Sequence, residues 1–216
     1  MTNQQILSLY QKAKVISDKD SFLNIIENRT KSQPIASDTE TTGTDFHTES
    51  ILYPSLKRYN VPYVFGISFA ILKRGKIHLA WIRHDDTKFF KAACSIISKD
   101  YWKVAHNARY DIRVLEENGY KTGGEIECTY TMSRIYWDRR MKHSLKSLAE
   151  FLCPELSNWD QPIKEEMTKL KKQYKKEGIV PNFSFIPNDI MAKYSMFDSF
   201  WCLVLWMYLN EKAIWK

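Results

Sequence analysis

Along the C-terminal part of the chain the apolar side chains Ile190, Phe197, Trp201 and Leu205 line one face of a helix, and stretch 197–209 is apolar enough to be buried. Segments 35–40, 64–72 and 77–82 read as strands, the last two joined through Lys73, Arg74 and Gly75 as a hairpin. Upstream, Phe22, Leu23, Ile25 and Ile26 mark a helix capped by Asp20 or Ser21, with a break at Pro34. Residues 1–34 are therefore expected to form a helical lead-in packed against the sheet. Segments 88–97 and 107–118 predict helices, the second preceded by a short strand at Val104 and Ala105 and stopped by Gly119. Leu145, Leu148 and Leu152 predict an amphipathic helix that ends before Pro154, and Asp160 is the expected N-cap of the next, with Pro162 in its first turn. That helix sets Ile163, Met167, Leu170 and Tyr174 on one side and Lys164, Lys169, Lys171, Lys172, Lys175 and Lys176 elsewhere. The lysines form either a solvated outer face or an arm that contacts phosphates. Segment 41–63 is long for a loop, so it either holds structure of its own or shapes a cleft.

Composition narrows the class. A chain of 216 residues with 44% hydrophobic and 14% aromatic content can build one domain with a sizeable core. The formal net charge of +7 favours a polyanionic partner such as nucleic acid. Cys94, Cys128, Cys153 and Cys202 include no CxxC pair, and no histidine spacing suggests zinc, so reduced thiols in a cytoplasmic setting are expected. The N-terminus lacks the basic start and apolar core of a secretory signal, and stretch 197–209 is too short to span a bilayer. No membrane partner is expected.

The chemistry is carried by four acids in three segments: Asp38 and Glu40 in SDTETTG, Asp111 in HNARYDIRVL and Asp198 in KYSMFDSFW. Asp38 and Glu40, two apart on a strand, share a face. Tyr194 and Asp198, four apart on a helix, stack on one side, and Asn107 and Asp111 repeat that step at the start of another helix. Singly, each has an ordinary explanation: DxE pairs sit on solvated strand edges, and an aspartate such as Asp111 is more often a helix surface residue. Asp198 is harder to dismiss, because it lies among Phe197, Phe200, Trp201, Leu203, Val204 and Leu205, where an unpaired charge is costly. Acids from several elements converging on one cleft suit magnesium, a hard ion that takes oxygen ligands.

The motifs resemble those of the DEDD 3′-5′ exonucleases of ribonuclease H-like fold, in the tyrosine-bearing subgroup. DTET is similar to the first motif, HNARYD to the second and YSMFD to the third, with Lys193 where the histidine subgroup has its histidine. Within that subgroup, FGISFAI, CTYTMSRIYW, HSLKSLAEFL and FIPNDIMAKYSMFD are similar to blocks in the proofreading exonuclease domain of family A, polymerase I-like DNA polymerases, including phage ones. The resemblance covers residues 35–209. It implies an α/β, ribonuclease H-like (DnaQ-like) fold, a mixed central sheet flanked by helices, with residues 1–216 a single exonuclease domain. It further implies two Mg²⁺ ions, with Mn²⁺ able to substitute: Asp38, Glu40 and Asp198 hold the first, and Asp38 and Asp111 the second. Tyr194 and Glu40 then orient the attacking water. Thr39, Thr44, His106, Asn107, Tyr110 and Trp159 are the implied substrate-binding residues. Thr44 stands where the family often has an aliphatic wedge, leaving Trp159 or Tyr110 as candidates to splay the terminal base. The implied partners are DNA, mainly single-stranded 3′ ends, and a DNA polymerase in trans, in the cytoplasm (the host cytoplasm for a phage protein). Two rival readings stay open: a 3′-5′ exoribonuclease like ribonuclease D, and a non-catalytic single-strand-binding module.

Overall fold

The computed structural model describes residues 1–43, 62–137 and 141–212. Its centre is a six-stranded mixed sheet, order β1-β4-β3-β2-β5-β6, made of β1 (Lys14–Ile16), β2 (Ile35–Thr41), β3 (Val64–Lys73), β4 (Lys76–Arg83), β5 (Lys103–Ala105) and β6 (Ile126–Cys128). β2, β3 and β4 run antiparallel to their neighbours in that set, whereas β1, β5 and β6 join in parallel. The expected mixed sheet flanked by helices is what forms.

Helices cover both faces. α2 (Lys19–Glu27), α3 (Thr87–Ser98) and α4 (Ala108–Glu117) pack Phe22, Ile26, Phe89, Ala93 and Val114 against Ile35, Ile67, Phe69 and Ile71. On the other face, α8 (Asn188–Lys212) crosses the middle of the sheet, with α1 (Asn3–Gln11), α5 (Thr129–Trp137) and α6 (Leu145–Leu152) around it. α7 (Gln161–Tyr174) supplies Ile163 and Leu170 to a third cluster with Phe65, Ile186 and Met191. Phe200, Trp201, Leu203, Val204 and Leu205 of α8 are all buried, so this helix has no solvent stripe over its middle turns.

Several expectations need correction. The N-terminal segment is more than a helical lead-in: Lys14, Val15 and Ile16 pair in parallel with His78, Leu79 and Ala80 and make an edge strand. The cap of α2 is Asp18, whose carboxylate accepts from the Ser21 backbone N–H at 2.8 Å, and neither Asp20 nor Ser21. β6 has no counterpart in the expected elements, and like β1 it is three residues long, too short for alternation to show. Asp160 stands at the N-cap of α7 as expected, with Pro162 in the first turn, but its carboxylate is engaged by Lys146 and Lys164 and makes no capping bond to the helix N–H groups. Asn107 lies outside α4 in the left-handed conformation (φ 64°), so it does not share a helix face with Asp111.

The hairpin turns as expected at Arg74 and Gly75, both at positive φ (49° and 72°), the backbone of a tight two-residue turn. The ends of the long segment after β2 meet: the Thr42 N–H donates to the Tyr63 carbonyl (3.0 Å) and the Tyr63 N–H to Thr42 Oγ1 (2.9 Å). What that segment holds in between lies outside the described residues.

Two side chains of β4 fix the entry to α8. The Trp81 indole packs its far edge against Gly66 and donates to Asn188 Oδ1 at 2.8 Å, and Arg83 donates to the Ser184 carbonyl at 3.1 Å. A Cβ at Gly66 would stand 1.9 Å from the indole ring, a contact that a rigid, hydrogen-bonded ring relieves only by moving. Gly66→Ala is therefore expected to lower stability by about 1–3 kcal/mol, the usual cost of overpacking. Guanidinium denaturation checks this: the midpoint should fall with an unchanged slope.

Candidate active site

β2 is the shared support. Its even positions Ala36, Asp38 and Glu40 point toward α8, and its odd position Thr39 points toward α4. β5 pairs with β2 only at Ile35 and Ala36, so the Thr39 N–H has no sheet partner on that side. It donates instead to Asp111 Oδ1 at 3.0 Å, and the Thr39 hydroxyl donates to the same oxygen at 2.6 Å. The early end of β5 thus makes room for α4 to bring its acid to β2. From the other face α8 delivers Tyr194, Ser195 and Asp198.

Asp38, Glu40 and Asp198 converge: each can offer an oxygen such that all three lie within 4.8 Å of one another. Asp111 stands beside this group, close enough that its charge acts on Asp38. The four acids sit in a cleft of about 390 Å³ whose walls include Thr41, Thr42, Gly43, His106, Tyr110, Asn182, Phe183 and Tyr194.

The electrostatics follow from burial and mutual repulsion. Burial raises Asp38 well above the usual carboxylate range, and the charges of Asp111, Asp198 and Glu40 raise it further. Glu40 is also raised by burial and by Asp198, a shift the Ser195 hydroxyl opposes by donating to Oε1 at 2.7 Å. Burial pushes Asp111 up to about 6 against the two bonds from Thr39. It pushes Asp198 up to about 7 against bonds from the Trp159 indole (2.7 Å to Oδ1) and the Tyr194 hydroxyl. Tyr194 is itself raised far above its ordinary value by burial and by Asp198, Glu40 and Asp38, so the phenol keeps its proton at neutral pH. Among the described residues no ion pair neutralises these acids. Oxygen-only donors, crowded and desolvated without a counter-charge, fit a hard divalent cation.

The remaining expected residues divide. His106 lines the cleft, but both ring nitrogens are occupied: Nε2 donates to the His143 carbonyl (3.0 Å) and Nδ1 accepts from the Thr129 hydroxyl (2.9 Å). Burial holds it neutral, down at about 4. Tyr110 also lines the cleft, with its hydroxyl donating to the Gly43 carbonyl at 2.9 Å and 2.8 Å from Thr41 Oγ1, which ties the chain leaving β2 to α4. Thr39 serves Asp111. Asn107 is exposed and is not part of the cleft wall. Trp159 is not in the wall either: it stacks on Phe197 (centroids 6.1 Å, 15°) with its N–H on Asp198. Thr44 lies outside the described residues. Sequence reasoning missed Ser195, although it sits inside YSMFD, and it missed Asn182 and Phe183, which belong to no periodic segment. Phe183 stands edge-on to Tyr194 at 6.0 Å.

The same fold recurs in solved proteins. The POL domain of Pol1 from M. smegmatis, in complex with DNA primer-template and dNTP, is 10% identical with a TM-score of 0.56 over 93% of this chain and 27% of that one. Trypanosoma brucei RNase D bound to GMP is 16% identical, with a TM-score of 0.57 over 95% and 58%. Brucella melitensis NrnC with bound Mg²⁺ is 16% identical, with a TM-score of 0.51 over 92% and 78%. The chain thus spans about a quarter of the mycobacterial polymerase chain and over half of the RNase D chain. No curated protein matches it in sequence. At these identities the likeness shows the fold, a ribonuclease H-like one. The family comes from a sequence model of the 3′-5′ exonuclease of the DNA polymerase A type, which matches residues 13–213 and therefore nearly the whole chain. With that match, the chain belongs to the 3′-5′ exonuclease family.

Proposed function

We propose that the protein removes nucleotides from the 3′ ends of DNA, preferably single-stranded or frayed ends, using two Mg²⁺ ions and releasing nucleoside 5′-monophosphates. Mn²⁺ substitutes for Mg²⁺, and the protein acts in the cytoplasm, on its own or beside a DNA polymerase in trans. The observation that carries this reading is the convergence of Asp38, Glu40 and Asp198 within 4.8 Å, with Asp111 beside them, in an open cleft of a family whose members cleave 3′ ends. The +7 net charge supports a polyanionic substrate.

Asp38, Glu40 and Asp198 would hold one ion, and Asp38 with Asp111 the other. Bound there, the ions would supply Lewis acidity and lower the pKa of a bound water. The protein's own groups do the positioning. The Tyr194 hydroxyl, kept protonated, donates rather than accepts, and holds Asp198 from one helical turn away. Ser195 and Thr39 lock the rotamers of Glu40 and Asp111. Phe183 and Tyr110 wall the cleft where the terminal nucleotide would enter.

RNA is the second reading, favoured by the likeness to RNase D and NrnC; the shared acids do not distinguish the sugars, since the 2′-hydroxyl is read by contacts outside them. Matched DNA and RNA oligonucleotides decide between them. Faster cleavage of DNA is expected, and a marked preference for RNA overturns the substrate assignment.

Asp38→Ala should reduce metal-dependent cleavage to background while single-strand binding, measured by fluorescence anisotropy, persists. Tyr194→Phe should lower the rate about 10- to 100-fold with little change in affinity, because a hydrogen bond to a charged group is worth about 1.5–3 kcal/mol. A metal-dependent nuclease that survives Asp38→Ala would remove the assignment.

The raised carboxylates also predict how stability depends on pH. Asp111 near 6 and Asp198 near 7, with Asp38 and Glu40 also raised, bind more protons folded than unfolded between about pH 4 and pH 7. In chelator, their contribution is full below the unfolded values and is lost as pH rises through about 6 to 7. Divalent ions take the place of those protons. Thermal melts with EDTA or Mn²⁺ should therefore show a larger metal-induced rise in Tm at pH 8 than at pH 5.

A further inference from the structure

Trp159 lies outside the cleft wall, yet its Nε1–H reaches Asp198 Oδ1 at 2.7 Å. Asp198 is 8% exposed, so each hydrogen bond it receives limits the directions in which its second oxygen can point. The indole is itself held on several sides. Its ring lies nearly parallel to that of Phe197 (15°, 6.1 Å) and is tilted against Trp201 at 6.2 Å. The next residue, Asp160, is clamped between Lys146 at the start of α6 and Lys164 in the first turn of α7. The donor therefore comes from a link between two helices that is fixed by charge on one side and by stacking on the other. If Trp159 served packing alone, its faces would suffice, and the N–H of this partly exposed ring would find water. Here it is aimed at an acid of the ion site.

Two of the other acids are supported alike: Ser195 on Glu40 and Thr39 on Asp111, each from the element that carries or neighbours an acid. Among the described residues, only Asp198 draws such support from the distant α6–α7 link.

We propose that Trp159 is a positioning residue for the divalent-ion site, its indole N–H fixing the Asp198 carboxylate so that the remaining oxygen faces Asp38 and Glu40. This rests on the ion-binding reading above and adds a residue outside the acidic cluster. Outer hydrogen-bond partners of metal ligands are typically worth about 10- to 100-fold in metal affinity.

The test separates the N–H from the ring. Trp159→Phe removes the donor and keeps an aromatic face against Phe197. Site-specific replacement of Trp159 by benzothienylalanine, in which sulfur stands for the N–H, keeps the whole bicyclic shape. Mn²⁺ binding to the full chain is measured by isothermal titration calorimetry, beside cleavage across a Mn²⁺ series. The expected result is a Kd for Mn²⁺ raised about 10- to 100-fold in both variants, with cleavage largely recovered at saturating Mn²⁺. Unchanged Mn²⁺ affinity in the benzothienyl protein overturns the proposal, whether Trp159→Phe binds weakly, binds normally or fails to fold, since the N–H would then be dispensable. Failure of the unmodified chain to bind Mn²⁺ at all would instead overturn the ion-binding reading itself.

Discussion

Four carboxylates in one desolvated cleft repel one another, and the fold is organised around holding them there. Each is raised by burial, and each of Glu40, Asp111 and Asp198 is partly relieved by hydrogen bonds from neutral donors rather than by a cation. A lysine or arginine partner would relieve the repulsion more fully but would occupy the position of a divalent ion. Hydroxyl, amide and indole donors orient the acids and leave the negative charge available. The structure thus tolerates an electrostatic cost at its centre, offset by the apolar packing of α8 and both faces of the sheet.

That packing explains why the arrangement can be rigid. β3 is buried on both faces and lies opposite β2, and Ser68 on β3 donates to the Ser195 carbonyl at 2.7 Å and stands 2.6 Å from the Ser199 hydroxyl. Ser195 in turn donates to Glu40. A line of small polar groups runs from the middle strand through α8 to an acid on the adjacent strand. Serine is small enough to let helix and sheet approach closely there, and every polar atom in the line has a partner, as a buried network requires.

Much of this was legible in the sequence because it is local or periodic. The strand spacing of Asp38 and Glu40, the helical spacing of Tyr194 and Asp198 and the apolar blocks of β3 and β4 all carried over to the structure. What escaped is non-local. Thr39 supports Asp111 from 72 positions away and Trp159 supports Asp198 from 39, and no spacing rule links such residues. Asn107 misled because its place before α4 looked like the first helical turn, whereas its positive φ sets it outside. Asp160 does hold the N-cap position of α7, but the two lysines that take its carboxylate come into view only in three dimensions. The strands β1 and β6 are visible only through their parallel partners.

The paired hydrogen bonds between Thr42 and Tyr63 have a consequence for how such a chain can diversify. They clasp the chain where it leaves β2 and where it returns toward β3, so the two ends of the connection meet at a fixed spacing. The entropic cost of closing a longer excursion grows only logarithmically, about 0.6 kcal/mol for each doubling of length. Changes of length between the clasped ends therefore cost little in closure entropy and leave the Thr42–Tyr63 pairing in place, making the clasp a natural graft point.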